Sequence, residues 1–203
     1  MFTIEDKHAV LFLDVYTRDI TEVDLDWHSL LTSIKRVDRD DVDCEWNLEK
    51  LFLCYNAYCL GREETFDDNN IEIDNLFRSR RETDAVAFRF KMASIMITSE
   101  HASFFKDEYK RPRRSTSIHW KRLRSRIIFT EADFGYLWSY ENVFLAYNAY
   151  CFAIEQVCRE KNIPINQFWA ERRVLDIDYF QFIFENPARW SSENDGNRNH
   201  SDD

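Results

Sequence analysis

The chain has 203 residues, a formal net charge of −10, 16% aromatic residues, and only three Gly and three Pro. So few turn residues argue against a strand-and-turn architecture and for helices, and no apolar run reaches the ~20 residues that a membrane span needs. Five cysteines without C-x-x-C spacing argue against a zinc site or a disulfide framework and for reduced thiols in an intracellular setting, and residues 1–6 lack the basic and apolar regions of a signal peptide.

In chain order, apolar spacing predicts a helix over residues 4–16, with Ile4, His8, Leu11, Phe12 and Val15 on one face. A second is expected over 21–37, capped by Asp24 or Asp26 and carrying Trp27, Leu30, Leu31 and Ile34. The acidic stretch 38–43 reads as a loop. A third helix is expected over about 44–63, where Leu48, Leu51, Phe52, Tyr55, Tyr58 and Cys59 form an apolar stripe. Residues 67–70 read as a loop, and 71–81 and 84–98 as two further helices.

The chain then repeats itself. Trp46, Glu49, Phe52, Leu53, Tyr55, Asn56, Ala57, Tyr58 and Cys59 return as Trp138, Glu141, Phe144, Leu145, Tyr147, Asn148, Ala149, Tyr150 and Cys151, at an offset of 92. Upstream, His8, Phe12, Asp14, Tyr16 and Trp27 return as His101, Phe105, Asp107, Tyr109 and Trp120, at an offset of 93. Downstream, Arg80, Arg81, Phe88 and Phe90 match Arg172, Arg173, Phe180 and Phe182. The expected fold is therefore all-α: two tandem, internally duplicated helical units of about 90 residues, packed together through aromatic surface. Unit one spans 1–93 and unit two spans 94–183, and 184–203 form a polar, disordered tail. Unit one carries 12 basic against 21 acidic residues, unit two 13 against 11, and the tail 2 against 5, so the negative charge lies mainly in the first unit.

The matched aromatics read first as core. Four matched pairs are candidates for binding a partner: Glu49 with Glu141, Asn56 with Asn148, Arg80 with Arg172, and Arg81 with Arg173. Asn is a poor helix-interior residue, so its appearance in both copies implies a specific hydrogen bond, either to the fold itself or to a partner. The paired arginines read as salt-bridged helix ends, or as a clamp for phosphate or acidic peptide.

Residues 106–126 depart most from the internal match. Lys110, Arg111, Arg113, Arg114, Lys121, Arg122, Arg124 and Arg126 stand where unit one is acidic. This strip reads as a solvated or intramolecularly docked face, as a divided nuclear-import signal, or as a phosphate-contacting patch for DNA or RNA. Ser115 or Ser117 is the expected cap of the helix carrying Trp120. Arg114 and His119 also fit the R-x4-H spacing of the HEPN ribonucleases, in which an Arg and a His cleave RNA. No other catalytic set, metal site or cofactor signature is expected.

The segment from Ser115 through Trp120, Leu123, Arg124, Arg126 and Ile127, then Asp133-Phe134, Asn142 to Ala149, Ile163-Pro164-Ile165 and Arg172-Arg173, resembles the SPK domain of nematode proteins. That resemblance implies a nuclear, non-enzymatic helical module of the kind that accompanies chromatin-associated domains. Together these readings predict a protein–protein interaction adaptor in the nucleus or cytoplasm, without a cofactor, able to homodimerise. Nucleic-acid binding through the basic strip is the alternative and a HEPN-like ribonuclease the remote one.

Overall fold

The computed structural model describes residues 3–19, 25–38, 45–92, 95–112, 118–130 and 138–186. All regular structure among them is helical: α1 (Asp6–Tyr16), α2 (Trp27–Val37), α3 (Leu48–Asp68), α4 (Asn75–Lys91), α5 (Ser99–Tyr109), α6 (Trp120–Thr130), α7 (Tyr140–Glu160) and α8 (Gln167–Glu185). The first four helices have 11, 11, 21 and 17 residues and the last four 11, 11, 21 and 19. Helices α5 and α6 start 93 residues after α1 and α2, whereas α7 and α8 start 92 after α3 and α4. The one-residue change falls between the second and third helix of the set, where the sequence places it.

Local chemistry sets the boundaries. Asp26, not Asp24, caps α2, accepting from the amides of His28 and Ser29; Ser115 and Ser117 lie outside the described residues. The repeated histidines are third-position caps. His8 Nδ1 accepts from the Glu5 amide at 3.1 Å, and His101 Nδ1 accepts from the Thr98 amide at 3.2 Å. Helix α3 runs to Asp68, through part of the expected loop, and a left-handed Asn70 (φ 52°) follows its end. The two helices expected over 71–81 and 84–98 are one, ending at Lys91. Arg81, Asp84, Ala85 and Phe88 form its continuous buried face, and no Gly or Pro interrupts it. Met92, just after the helix, is extended, and Ile95 and Ile97, ahead of α5, are buried.

Helices α3 and α7 form the centre. Both are buried nearly all round, α3 from Leu51 to Arg62 and α7 from Val143 to Glu155, as expected of helices enclosed by others rather than lying on a surface. Their mutual packing is the most extensive in the molecule, and the paired residues ascend together, so the helices run parallel. They cross at Gly61, where an added Cβ would sit 2.5 Å from the Tyr150 carbonyl oxygen and 3.1 Å from Ala153. On either side the contacts are reciprocal. Tyr58 donates to Gln156 at 2.6 Å and Tyr150 donates to Glu64 at 2.6 Å. Residue 58 thus meets 156 as 150 meets 64, the pattern of an isologous interface within one chain. Lys50 pairs with Glu141 and Arg62 with Glu160 along the same seam, each at 2.8 Å.

The outer helices close on this pair with equivalent aromatic clusters. Phe52 stacks on Phe88 at 4.1 Å with Trp27 at 4.9 Å from Phe88. Phe144 stacks on Phe180 at 4.2 Å with Trp120 at 4.8 Å from Phe180.

Candidate functional site

Several charged residues singled out from the sequence, among them Arg81, Arg111 and Arg172, are buried in the fold. Arg81 makes a bidentate pair with Glu63 at 2.9 and 3.0 Å, and Tyr16 donates to the same carboxylate at 3.1 Å. Arg173 pairs with Glu155 at 2.8 and 2.9 Å, and Tyr109 donates to it at 3.2 Å. The two triads occupy equivalent positions. Burial disfavours the charge on Arg81 and Arg173, but their carboxylate partners outweigh it and raise both above the ordinary guanidinium value. Both arginines lie within a helix rather than at its end, so the expectation of salt-bridged helix ends is right about pairing and wrong about place.

A second equivalent pair lies beside the first. Arg18 contacts Asp84 at 2.7 Å and donates to the Val15 carbonyl at 3.0 Å. Arg111 contacts Asp176 at 2.8 Å and donates to the Glu108 carbonyl at 2.9 Å. Arg80 donates to the carbonyl of Arg18, and Arg172 to that of Arg111 at 2.8 Å. Arg172 also reaches the Pro112 carbonyl at 3.0 Å. These four arginines hold the chain after α1 and α5 against α4 and α8. Arg111, at 6% exposure, does not present its guanidinium to a phosphate backbone. The sequence offered a signal for these pairs, since Arg18 and Arg111 recur at offset 93 and Asp84 and Asp176 at offset 92.

Asn56 and Asn148 are both buried. Asn56 donates to the Phe52 carbonyl at 2.9 Å, and Asn148 accepts from Arg173 at 3.1 Å. One polar atom of each, Asn56 Oδ1 and Asn148 Nδ2, has no hydrogen-bond partner among the described residues. Glu141 serves the seam through Lys50, and Glu49 is exposed on the first turn of α3. Of the partner-binding candidates, Glu49 alone stands fully at the surface.

The basic strip divides. Lys106 and Lys110 converge on Asp68 of α3, so part of the strip docks on the first four helices. Arg124 lies 5.1 Å from the Tyr140 ring centre, and Arg126 lies 4.1 Å from that of Phe104 while pairing with Asp107 at 2.9 Å. Lys121 is half-buried and Arg122 exposed. Arg113 and Arg114 lie outside the described residues, so the R-x4-H pair is represented by His119 alone. His119, just ahead of α6, and Arg122, Arg126 and Phe129 of that helix lie along one stripe, in which Arg126 is half-buried and Phe129 is 90% exposed.

Sequence reading missed the outward faces of α4 and α8. On α4, Thr83, Val86, Ala87 and Phe90 follow i, i+3, i+4, i+7 spacing on the side opposite the buried Arg81, Asp84 and Phe88. Val86 is 61% and Phe90 92% exposed. On α8, Val174, Leu175 and Phe182 face outward, with Leu175 65% exposed. The matched pairs Phe88/Phe180 and Phe90/Phe182 therefore have opposite fates: the first pair is core and the second is surface. A helical period through residues 81–90 separates them, because Phe88 is in register with Arg81 and Asp84 and Phe90 with Val86.

No helix among the described residues is long and apolar enough to cross a membrane, and no group of three His, Cys, Asp or Glu side chains among them is placed to hold a metal ion. No family model matches the chain, and neither the curated proteins nor the solved structures contain a match to it.

Proposed function

We propose that the protein is a non-enzymatic interaction module that receives an amphipathic helix of a partner protein on the outward stripe of α4, with a second, more polar stripe on α8, where Asp178 stands at the place of Val86. The observation that carries this is the exposure of Val86 and Phe90 at helical spacing on a helix whose other face is fully engaged. A large apolar side chain left in water forfeits about 1.5–3 kcal/mol that a partner surface would recover, and aromatic anchors of this kind dominate helix-in-groove recognition. Two related faces on one body also allow two ligands, or one bivalent ligand held with added avidity. The SPK resemblance extends the proposal to a nuclear, chromatin-associated setting. A photo-crosslinking amino acid at position 90 tests the site. Discrete adducts that are absent when the same group sits at exposed position 36 of α2 support the reading; the same adducts at both positions contradict it.

A second reading is favoured by the stripe His119, Arg122, Arg126 and Phe129. Cations interleaved with an exposed ring suit single-stranded nucleic acid, which binds by phosphate contact and base stacking. Fluorescence anisotropy with labelled single-stranded RNA at two salt concentrations checks it. Salt-sensitive binding lost in Arg122→Glu with Phe129→Ala supports it, and salt-independent or unchanged binding removes it.

A further inference from the structure

A cavity of about 290 Å³ opens where the C-terminal turns of α3, α5 and α7 meet the start of α8. Ile154 and Cys158 of α7, Ile163 and Trp169 form its apolar wall, and Lys106 of α5 and Lys110, which follows that helix, stand among its polar lining. The volume sits at the lower end of the range for small-molecule sites, and an apolar wall with few convergent polar groups is their usual composition.

The equivalent place in the first four helices is built differently. Where α7 has Ile154 and Cys158, α3 has Arg62 and Phe66. The Phe66 ring fills that side, with the Arg62 guanidinium 5.8 Å and the Lys161 ammonium 5.3 Å from its centre. Where α5 and its C-cap have Lys106 and Lys110, α1 and its C-cap have Leu13 and Thr17. Loss of bulk and gain of two cations thus coincide at one spot in the second half, on a scaffold whose helices follow the same order.

The two lysines share one carboxylate: Lys106 reaches both oxygens of Asp68, Oδ1 at 2.7 Å and Oδ2 at 2.6 Å. Both ammoniums converge on Asp68 Oδ2, at 2.6 Å from Lys106 and 3.4 Å from Lys110. Asp68 is the last residue of α3, where the helix dipole disfavours a carboxylate; its side chain is 40% exposed, and burial works against its ionisation while the two lysines outweigh that and lower its pKa. The other carboxylates of the wall are engaged: Glu64 accepts from Tyr150 and lies 3.8 Å from Lys106, and Glu155 is held by Arg173 and Tyr109. Each ammonium has three donors, and a bound carboxylate would accept from both in charge-assisted bonds.

We infer that this cavity binds a small apolar carboxylate, its flat or branched body against Ile154, Cys158 and Trp169 and its carboxylate on Lys106 and Lys110. The inference is independent of the helix-docking proposal, because the cavity lies on neither outward stripe.

The test is an NMR titration of the 15N-labelled full chain with 3-phenylpropanoate and with its neutral amide. The expected result is a saturable shift of the Trp169 indole signal with the acid, with the amide weaker by roughly tenfold or more. Lys106→Leu with Lys110→Thr, which installs the residues of the first half, should abolish the preference for the acid. Cys158→Phe should block both probes. Equal binding of acid and amide, an unaltered preference in the lysine variant, or no shift at Trp169 at millimolar probe would overturn the inference. The lysine variant replaces a half-buried and an exposed side chain with the residues that the first half carries at the matching positions, so the result does not depend on whether Cys158→Phe folds.

Discussion

Asp176 accepts from the Arg111 guanidinium, from Tyr147 at 3.2 Å and from the Ile118 amide at 3.3 Å, all buried. Removing it leaves an arginine charge without compensation in the interior, which costs on the order of 3–5 kcal/mol. Asp176→Leu should therefore lose about that much in urea-induced unfolding, whereas Arg122→Ala, on the exposed side of α6, should stay within about 0.5 kcal/mol of the parent. Acid sensitivity belongs to the same scale. Burial between Thr130 and Trp138 pushes the His101 imidazole down to about 4. A base with a depressed folded-state value contributes its stability above the unfolded value of about 6.5 and loses it as pH falls toward 4, because the unfolded chain binds the proton first. Burial works against ionisation of Asp38, but hydrogen bonds from Lys7, Trp46 and His8 outweigh it and hold the carboxyl at about 2. It adds a second loss below about pH 4. Chemical denaturation between pH 7 and 4 should show falling stability, and His101→Gln should flatten that fall by on the order of 3 kcal/mol; an unchanged slope would show that His101 is not the group responsible. At this scale the sequence was a partial guide. It paired Arg81 with Arg173 and read them as salt-bridged, but the surrounding Lys and Arg made Arg111 look like a surface cation. Neighbouring charge in the chain says nothing about burial; only the matched Asp84 and Asp176 could have said it.

Helix α3 carries a glycine at the one point where it touches α7 most closely. In an open helix Gly→Ala gains about 1 kcal/mol. At Gly61 the new methyl would meet a backbone oxygen at 2.5 Å, which neither helix can turn aside. Gly61→Ala should lower stability by about 1–3 kcal/mol, readable as a lower thermal midpoint; a raised midpoint would show that the crossing can relax. The outer helix α4 behaves in the opposite way. Phe90→Glu should leave the circular dichroism spectrum and the midpoint unchanged within about 0.5 kcal/mol, because the ring has no fold to hold. Helix existence was legible throughout, since caps and apolar period agree. The division of α4 into two was an error of punctuation: Glu82 and Thr83 are polar because they face water, not because the helix stops.

Across the whole molecule, apolar burial runs without interruption from α1 through the α3–α7 seam to α8, and α4 closes on α3 through Phe52 and Phe88. The two halves should thus unfold together, with circular dichroism and tryptophan fluorescence tracing one coincident transition; two separated transitions would mean that the seam does not couple them. The repeated stretch in the sequence made the all-helical, repeating plan legible, though with five helices expected in the first unit where the structure has four, and could not show which matched residues lie on the seam, since Tyr58 and Tyr150 look no different from Tyr55 and Tyr147. Nor could it show the outward stripes, because an exposed Phe and a core Phe are the same letter. Those stripes carry the functional claim, and quantitative affinity capture from cell extract tests it most directly. It would compare the parent chain with Val86→Glu plus Phe90→Glu, and with Leu175→Glu plus Phe182→Glu. The account predicts that each pair of substitutions removes specific, saturable partners while the fold stays intact. Identical partner sets for all three proteins would contradict it.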